Sequence, residues 1–554
     1  MRWQISPRCR ANSGAGKGPA PPVAASGSRL CGRGKPLRCS RLACIAVSLL
    51  LLLAACGPAD APEPSQPAES PVPSETASPS PSPPAAPAAP ALALAWDPDS
   101  PLDPLKGNTV NLMLAPLVFE GLFALDEGFE PQPVLCESYT QSLNELSWTF
   151  MLRPDIVFSD GTPLTGAIAA RCLNAARGSS LYSARLSAVA SVRAGEGSVT
   201  VELSRPCGTL PTLLDVPIFL TQEEGLPLGT GPYCFEEAAG ELRLSAVPGW
   251  WQGRTLPALQ IPLRQTPSTD DQIAAFDTGR ITLVDTDFNA TNALGYSSGY
   301  DAWDYPTSSM IYVGFNLRNG PCADAALRLA AARCLDRESM AAVTLAGHAD
   351  AASLPMHPNA GLYDKSLAQG LAYDPQAAAL ALAEAGWQAD EEGRLVKNRQ
   401  RLELNVLVSS ENPARAALAE ALAAELEKLG ADVTVTRLAW ENYLKALEKG
   451  DFDLYIAQVK LSANFDPTVL LEGALNYGGN GDGELAAILS NYRAASGDAR
   501  TWLSYALFAR LTAHVPIAPI CFTRGTVLTQ WGRVLGLTPV QGNVFYKMEE
   551  WVLA

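Results

Sequence analysis

Histidine is scarce in this sequence, and so are the residue clusters that hold metals. The chain has three histidines among 554 residues, and His348, His357 and His514 form no i, i+3 or i, i+4 pair. Because protein zinc sites need several nitrogen or sulfur ligands close together, we predict no metal and no cofactor. Residues 480–484, N-G-D-G-E, have oxygen ligands suited to calcium, although a polar surface loop explains them equally simply.

Positive charge is scarce beyond the N-terminal segment. Residues 1–55 contain nine Lys/Arg and no Asp/Glu, which leaves 32 basic against 57 acidic groups, a formal charge of −25. Such a surface repels phosphate backbones, so we expect no nucleic-acid partner. Solubility outside the cell is the plain explanation of this acidity.

The apolar run at residues 42–53 is too short to span a membrane comfortably. It follows a basic region and ends in L-A-A-C-G at residues 53–57, which resembles the lipobox of bacterial lipoproteins. The resemblance implies acylation of Cys56 and cleavage before it, so residues 1–55 are predicted to be a lipoprotein signal peptide. The mature protein would then be extracytoplasmic and anchored to the cell membrane by lipid, in the periplasmic space or on the outer face of the cytoplasmic membrane. An uncleaved signal anchor is the alternative.

Residues 56–91 hold twelve prolines among small and polar residues. Such a segment cannot bury a core, so we predict a Pro-rich disordered tether. The folded part is expected to begin near Leu92, where residues 92–96 alternate like a strand.

The stretch at residues 135–173 combines several local signals. Trp148, Phe150 and Leu152 alternate with the residues T, M and R at 149, 151 and 153, which indicates a half-buried strand. Residues 159–161, S-D-G, suit a tight turn, and Thr165 can cap a following Ala-rich helix.

This stretch resembles the signature of family 5 extracellular solute-binding proteins, the peptide, dipeptide and nickel receptors of ABC importers. The matching motifs are E-S-Y at 137–139, W-T-F-M-L-R at 148–153 and F-S-D-G-T-P-L-T at 158–165. Further matches follow in family order: E-G-L at 120–122, G-T-G-P-Y at 229–233, W-W-Q-G at 250–253 and D-R-E at 336–338. The chain departs from the family at residues 166–168, G-A-I, where acidic residues are usual. We interpret that departure as local drift that weakens the helix start.

The second half of the chain carries its own α/β pattern. Residues 402–408 alternate, leucines repeat at helical spacing from 418 to 429, and a further strand begins at 433. This βαβ order predicts a parallel sheet, with further strands at 311–317, 454–457 and 515–522.

The resemblance implies an α/β, two-lobed, periplasmic-binding-protein-like fold of type II, in the large peptide-binding class. We place the first lobe at 92–305 and 518–554, with an extra subdomain near 118–228, and the second lobe at 306–517. By family analogy two crossing strands join the lobes, which close on ligand.

Two short segments resemble enzyme motifs. Residues 295–299, G-Y-S-S-G, match the hydrolase pattern around Ser297, but neither a clean strand nor a helix signal flanks them. Residues 229–231 lack the third glycine of a dinucleotide-binding loop. We therefore predict no catalytic residue and no enzyme activity.

Seven cysteines follow Cys56, an odd number for a protein outside the cytoplasm. If residues 324–334 are helical, Cys322 and Cys334 lie too far apart to bond each other. The candidate disulfides are Cys136–Cys172 and Cys207–Cys234; fully reduced thiols would explain the same count. The seven residues are Cys136, Cys172, Cys207, Cys234, Cys322, Cys334 and Cys521.

The family resemblance implies a binding protein, expected to be a monomer, that captures an oligopeptide or related small solute and delivers it to the permease subunits of an ABC importer. One alternative is a receptor of the same fold for a nickel chelate, a sugar or an opine. The other is an extracytoplasmic lipoprotein hydrolase or adhesin.

Residues 460–467, K-L-S-A-N-F-D-P, resemble the family stretch in which peptide-binding members commonly place an aspartate for the peptide's amino group. That position is Ala463 here, and a buried ammonium without a counter-charge is costly. We therefore predict that N-blocked, anionic or non-peptide ligands bind at least as well as free dipeptides. The candidate ligand-binding residues are Trp440, Lys460, Ala463, Asn464, Phe465 and Asp466.

Overall fold

The structure is a computed structural model that describes residues 91–222, 225–291 and 295–554. The predicted signal peptide, Cys56 and all but the last residue of the predicted tether lie outside the described residues. Within the described part, no helix combines the length and apolar character needed to cross a membrane.

The described strands are β1 (Leu94–Trp96), β2 (Phe123–Leu125), β3 (Pro131–Pro133), β4 (Cys136–Gln141), β5 (Ser147–Leu152), β6 (Val189–Gly195), β7 (Ser198–Leu203), β8 (Tyr233–Ala238), β9 (Glu241–Ala246), β10 (Gln260–Gln265), β11 (Leu283–Thr286), β12 (Tyr300–Phe315), β13 (Ala349–Ala351), β14 (Gln388–Ala389), β15 (Leu395–Lys397), β16 (Gln400–Arg401), β17 (Glu403–Ser409), β18 (Asp432–Leu438), β19 (Leu454–Lys460), β20 (Ile517–Gln530), β21 (Val534–Leu535) and β22 (Val552–Leu553). The α-helices are α1 (Thr109–Met113), α2 (Ala115–Val118), α3 (Gly166–Gly178), α4 (Thr269–Asp277), α5 (Ala325–Arg333), α6 (Arg337–Ser339), α7 (Lys365–Gln369), α8 (Pro375–Glu384), α9 (Pro413–Lys428), α10 (Trp440–Lys449), α11 (Thr468–Leu471), α12 (Gly483–Ala494) and α13 (Gly497–His514).

The first hydrophobic core packs two four-stranded sheets, ordered β1-β10-β9-β8 and β4-β5-β7-β6. The second half is built on a larger sheet, ordered β11-β20-β12-β19-β17-β18, to which β13 adds at β20. Helices α5, α8 and α9 cover one face of that sheet, and α10, α12 and α13 cover the other. We call these two packed faces together the second core.

The predicted βαβ unit is confirmed in this larger sheet. Strand β17 pairs in parallel with β18, and α9 makes the crossover between them. Strand β17 also pairs in parallel with β19. All three therefore end at one sheet edge, beside the segments that follow β17 and β19.

Strands β12 and β20 connect the two cores and are longer than the sequence predicted. They pair antiparallel from Tyr300↔Gln530 to Gly314↔Ile517, with a register shift after Pro306. Tyr305 packs in the first core, whereas Val313 packs in the second. The polar residues before 311 hid this first half of β12, since their alternation is weak and a proline interrupts it.

The strand predicted at Trp148 is confirmed as β5, paired with β4 and β7. Trp148 is 4% exposed and Phe150 fully buried, whereas Met151 on the other face is 41% exposed. The rings of Trp148 and Phe150 lie nearly parallel, with centroids 6.1 Å apart. This face therefore belongs to the first core.

The interpretation of residues 166–168 as drift is corrected by the packing of Gly166. A Cβ atom there would lie 2.2 Å from the Ser198 carbonyl oxygen and 2.4 Å from that of Gly195. The helix start is still capped, because the Thr165 hydroxyl accepts from the Ile168 amide at 3.3 Å. Glycine is thus required by the close approach of the β6–β7 turn.

Glu120 joins three of the separate sequence motifs in the first core. Its carboxylate accepts hydrogen bonds from the Thr230 hydroxyl (2.7 Å), the Trp251 indole N–H (2.8 Å) and the Gln252 amide (2.7 Å). Burial raises the pKa of Glu120 to about 7, although these three donors act to lower it. The E-G-L, G-T-G-P-Y and W-W-Q-G motifs therefore hold the fold together through one buried carboxyl group.

The candidate disulfides Cys136–Cys172 and Cys207–Cys234 are wrong, and the alternative of reduced thiols agrees with the structure, because all seven cysteines of the described residues are free. The thiol of Cys136 donates to the Ser138 carbonyl, and that of Cys172 donates to the Phe219 carbonyl. Each of these thiols packs separately as a small apolar group. The positions of the cysteines in the sequence do not indicate this.

Candidate ligand-binding cleft

A cavity of about 460 Å³ lies between the first core and the second. The first core supplies its lining from β4 and β5 and from the segment at 208–212. The second supplies the loop after β19 and the start of α13. The lining includes Trp148, Thr209, Thr212, Asn464, Phe465 and Arg500.

The two sides of this cavity touch each other directly. The Asn464 side-chain amide donates to the Thr209 hydroxyl at 3.1 Å, and the Gly208 N–H donates to the Arg493 carbonyl at 2.8 Å. A Cβ atom at Gly208 would lie 2.0 Å from the Ala495 carbonyl oxygen. The structure therefore shows the cleft with its two sides in contact at this end.

Phe465 sits where the loop after β19 turns sharply, with a positive φ of 50°. Its ring packs edge-on against Phe129, with centroids 5.0 Å apart, and against Phe522 at 5.7 Å. Phe129 reaches it from the β2–β3 hairpin, and Phe522 belongs to the connecting strand β20. This aromatic group therefore links the hairpin, the connection and the cavity wall.

Arg500 shapes the same loop from α13. It is 4% exposed, its guanidinium lies 3.2 Å above the Tyr492 ring, and it donates to the Asn464 carbonyl at 3.1 Å. A second N–H group donates to the Tyr492 carbonyl. Arg500 therefore positions the loop that carries Asn464.

Outside the cavity lining, the charges of Arg185, Asp215 and Asp285 act on Lys460. Lys460 ends β19, and its side chain is open to solvent although protein surrounds it on most sides. Burial and then the Arg185 charge lower the pKa of Lys460, while Asp215 and Asp285 oppose that shift. Arg185 and Asp215 themselves form an ion pair at 2.7 Å.

Asp285 lies on β11 and accepts a hydrogen bond from the Tyr305 hydroxyl at 2.9 Å. Burial raises the pKa of Asp285 to about 6, although Tyr305 and the charge of Lys460 act to lower it. Asp285 and Lys460 form no ion pair, but each changes the electrostatic environment of the other.

The structure brings three of the six predicted site residues into the cavity wall: Ala463, Asn464 and Phe465. Lys460 lies just before them on β19. Trp440 and Asp466 are not among the lining residues: Trp440 stacks on Tyr443, and Asp466 accepts from the Thr468 amide at 3.0 Å. Thr209 and Arg500 line the cavity but were missed, because they come from segments distant in sequence and no local motif marks them.

The residues that suggested a hydrolase or a calcium site have structural roles instead. The Ser297 hydroxyl and amide bond to Asp277 at the end of α4. Asp482 caps α12 by accepting from the Leu485 amide, and it pairs with Arg510 at 2.7 Å. Within the described residues, no group of three or more His, Cys, Asp or Glu is arranged to hold a metal.

The α/β architecture matches solved structures of the two-lobed periplasmic-binding fold. NikA from Brucella suis, solved in complex with Fe(III)-EDTA, is 22% identical with a TM-score of 0.64, over 84% of this chain and 99% of that one. An ABC transporter substrate-binding protein from Sinorhizobium meliloti is 20% identical with a TM-score of 0.68, covering 84% and 99% of the two chains. AppA from Bacillus subtilis, solved with a nonapeptide, is 20% identical with a TM-score of 0.54, covering 81% and 95%.

The chain belongs to family 5 of the bacterial extracellular solute-binding proteins, whose middle region matches residues 130–482. The predicted fold class and family are therefore confirmed, and the family consists of binding proteins rather than enzymes. The glutathione-binding protein GsiB of Salmonella typhi is 26% identical over 306 residues, 52% of this chain. GsiB of Escherichia coli K12 gives the same identity and coverage. The match spans 59% of the length of these curated relatives.

Proposed function

We propose that this protein captures an oligopeptide or related small solute between its lobes and delivers it to the permease of an ABC importer. The observation that carries the proposal is the cleft, which residues from both cores line and whose sides meet through Asn464 and Thr209. Ligand contacts made by both sides exist only when the lobes are together, so ligand shifts the population towards the closed form. The handover to the permease follows that closure.

The relatives support a peptide-like ligand. GsiB is a glutathione-binding protein, and AppA was solved with a nonapeptide. The walls of this cleft combine aromatic rings, such as Trp148 and Phe465, with hydrogen-bonding groups, such as Thr209 and Asn464. That mixture suits a peptide backbone with apolar side chains. NikA, solved with Fe(III)-EDTA, supports the metal-chelate alternative.

Mass spectrometry of solute released from the purified protein tests the proposal. We expect short peptides or peptide-like molecules. If the released solute is a metal chelate, a sugar or an opine, the proposed ligand class is wrong, but the protein is still a receptor. Turnover of an ester or amide that Ser297→Ala abolishes would contradict the receptor role itself.

We also propose that Cys56 carries the lipid anchor of the mature protein and that the lobes lie at 92–305 with 518–554 and at 306–517. Cys56→Ala should remove labelling by a fatty-acid analogue and move the protein out of the detergent phase. Unchanged labelling and partitioning would overturn the anchor, while leaving the cleft and its ligand untouched.

A further inference from the structure

Trp531 is exposed beside the point at which the predicted tether joins the first core. The Thr282 N–H donates to the Ala93 carbonyl at 2.8 Å, and the Gln530 N–H donates to the Thr282 carbonyl at 2.9 Å. Because neighbouring strands lie about 5 Å apart, Gln530 is about 10 Å from Ala93. Trp531 follows Gln530 and is 74% exposed. Its ring therefore lies close to the end of the tether at residue 91.

A tight turn after β20 holds Trp531 in this exposed position. The Arg533 N–H closes the turn by donating to the Gln530 carbonyl at 2.9 Å, and the Gly532 N–H donates at 2.8 Å to a carboxylate on β12. A Cβ atom at Gly299 would lie 3.4 Å from Cε3 of Trp531, so one side of the ring covers that glycine. The Trp531 indole and the exposed Arg533 guanidinium make no hydrogen bond or ion pair with any described residue. The turn therefore presents an open aromatic ring and unused N–H donors.

The end of the tether has a sequence period that suits such a surface. Residues 79–90, P-S-P-S-P-P-A-A-P-A-A-P, lie outside the described part of the chain, and their prolines at 81, 84, 87 and 90 recur every third residue. Polyproline II has three residues per turn, so these four prolines share one face, which we call the proline ridge. The carbonyl groups of that conformation have no internal partner, and proline has no N–H. Aromatic-lined surfaces bind proline segments of this kind.

We propose that the proline ridge, residues 81–90, docks on Trp531 and Arg533 of the same chain. Pro87 and Pro84 precede residue 91 by four and seven residues, about 12 and 22 Å of polyproline II, which is enough to reach the ring. The ridge supplies proline rings and carbonyl acceptors, and the turn supplies the indole ring and the guanidinium donors. Docking shortens the free tether to residues 57–80 and fixes the direction in which it leaves the first core.

Two other occupants of this surface are disfavoured by charge and by concentration. Tryptophan and arginine also suit a lipid surface, but the chain after residue 55 has a formal charge of −25, which opposes an anionic membrane. A second copy of the chain would compete at its bulk concentration. The attached tether has an effective concentration on the order of millimolar, so even a weak contact with it is populated.

Elastase, which cleaves after small residues, tests the docking on the purified full chain in neutral detergent. The ridge contains Ala–Ala bonds at 85–86 and 88–89, and the tether outside it contains an Ala–Ser bond at 77–78 as an internal reference. Cleavage tracks the population of the undocked form, so Trp531→Ala should raise cleavage of the two ridge bonds about tenfold relative to the reference bond. Trp502→Ala, which removes a 68% exposed tryptophan from α13, should leave that ratio unchanged.

The outcomes distinguish the tether from the other occupants. An unchanged ratio in Trp531→Ala overturns the proposal. Protection of the ridge bonds that appears only in phosphatidylglycerol vesicles assigns the surface to lipid, and protection that grows with protein concentration assigns it to a second copy; either result overturns docking of the tether. If Trp531→Ala lowers the melting temperature, Arg533→Gln decides, because it must raise cleavage at the same two bonds.

Discussion

Glu120 and Arg185 both hold a charged group with limited access to water, but their surroundings differ. Glu120 accepts three hydrogen bonds from motifs distributed over 130 residues of chain. Arg185 pairs with Asp215 through Nη1, whereas its Nε and Nη2 are shielded from water and have no acceptor among the described residues. Its three hydrogen bonds let Glu120 hold distant segments together, whereas Arg185 contacts Asp215 and Tyr182 and leaves one edge of its guanidinium unpaired.

The largest effect should come from the structural side of this comparison. Phe150→Ala removes a fully buried ring from β5, so we expect unfolding free energy to fall by about 3–5 kcal/mol in a denaturant titration. Met151→Ala is the matched control, because its side chain faces outward on the same strand; it should cost under about 1 kcal/mol. Equal effects would mean that the strand's faces are assigned wrongly.

Glu120 should make stability depend on pH. Its pKa is about 7 in the fold against an ordinary value of 4.5, so the folded state binds more protons between these values. Its stabilising contribution is complete below pH 4.5 and is lost as pH rises through 7. At about 1.4 kcal/mol per pKa unit, the loss is on the order of 3 kcal/mol. Unfolding at pH 5 and pH 8 should show this slope for the natural protein and a smaller one for Glu120→Gln; parallel slopes would contradict it.

A smaller structural effect is expected at Gly166. Gly166→Ala forces a methyl group against two backbone carbonyl groups, so we expect a loss of about 1–3 kcal/mol. Gly178→Ala in the same helix meets nothing within 4 Å and should be neutral or stabilising by up to about 1 kcal/mol. Thermal melts of the two variants compare them directly. A neutral Gly166→Ala would restore the interpretation of residues 166–168 as drift.

The smallest effect is expected on the ligand side. If Ala463 stands at the position where the family resemblance implies an acid for the peptide amine, N-acetylation of a peptide should weaken binding by less than tenfold, about 1.4 kcal/mol. Calorimetry on free and N-acetylated forms of one peptide measures this. A larger loss would show that another acidic group holds the peptide amine, with Asp285 as the first candidate.

The sequence predicted the local features of this molecule but not the contacts between distant segments. The W-T-F-M-L-R strand and the βαβ unit were predictable, since alternation and helical spacing are local properties. The closure of three motifs on Glu120 was not, because hydrogen bonds between distant segments leave no periodic signal. The same reason hid Thr209 and Arg500 in the cavity wall, while Ala463, Asn464 and Phe465, which also line it, were predicted together as neighbours in one motif.

Small-angle X-ray scattering with the identified solute tests the central claim most directly, that two lobes close on a ligand. The method needs no label, which suits a fold containing seven free cysteines. We predict that the radius of gyration falls as solute is added and reaches its limit when calorimetry shows saturation. An unchanged scattering curve at saturation would contradict closure.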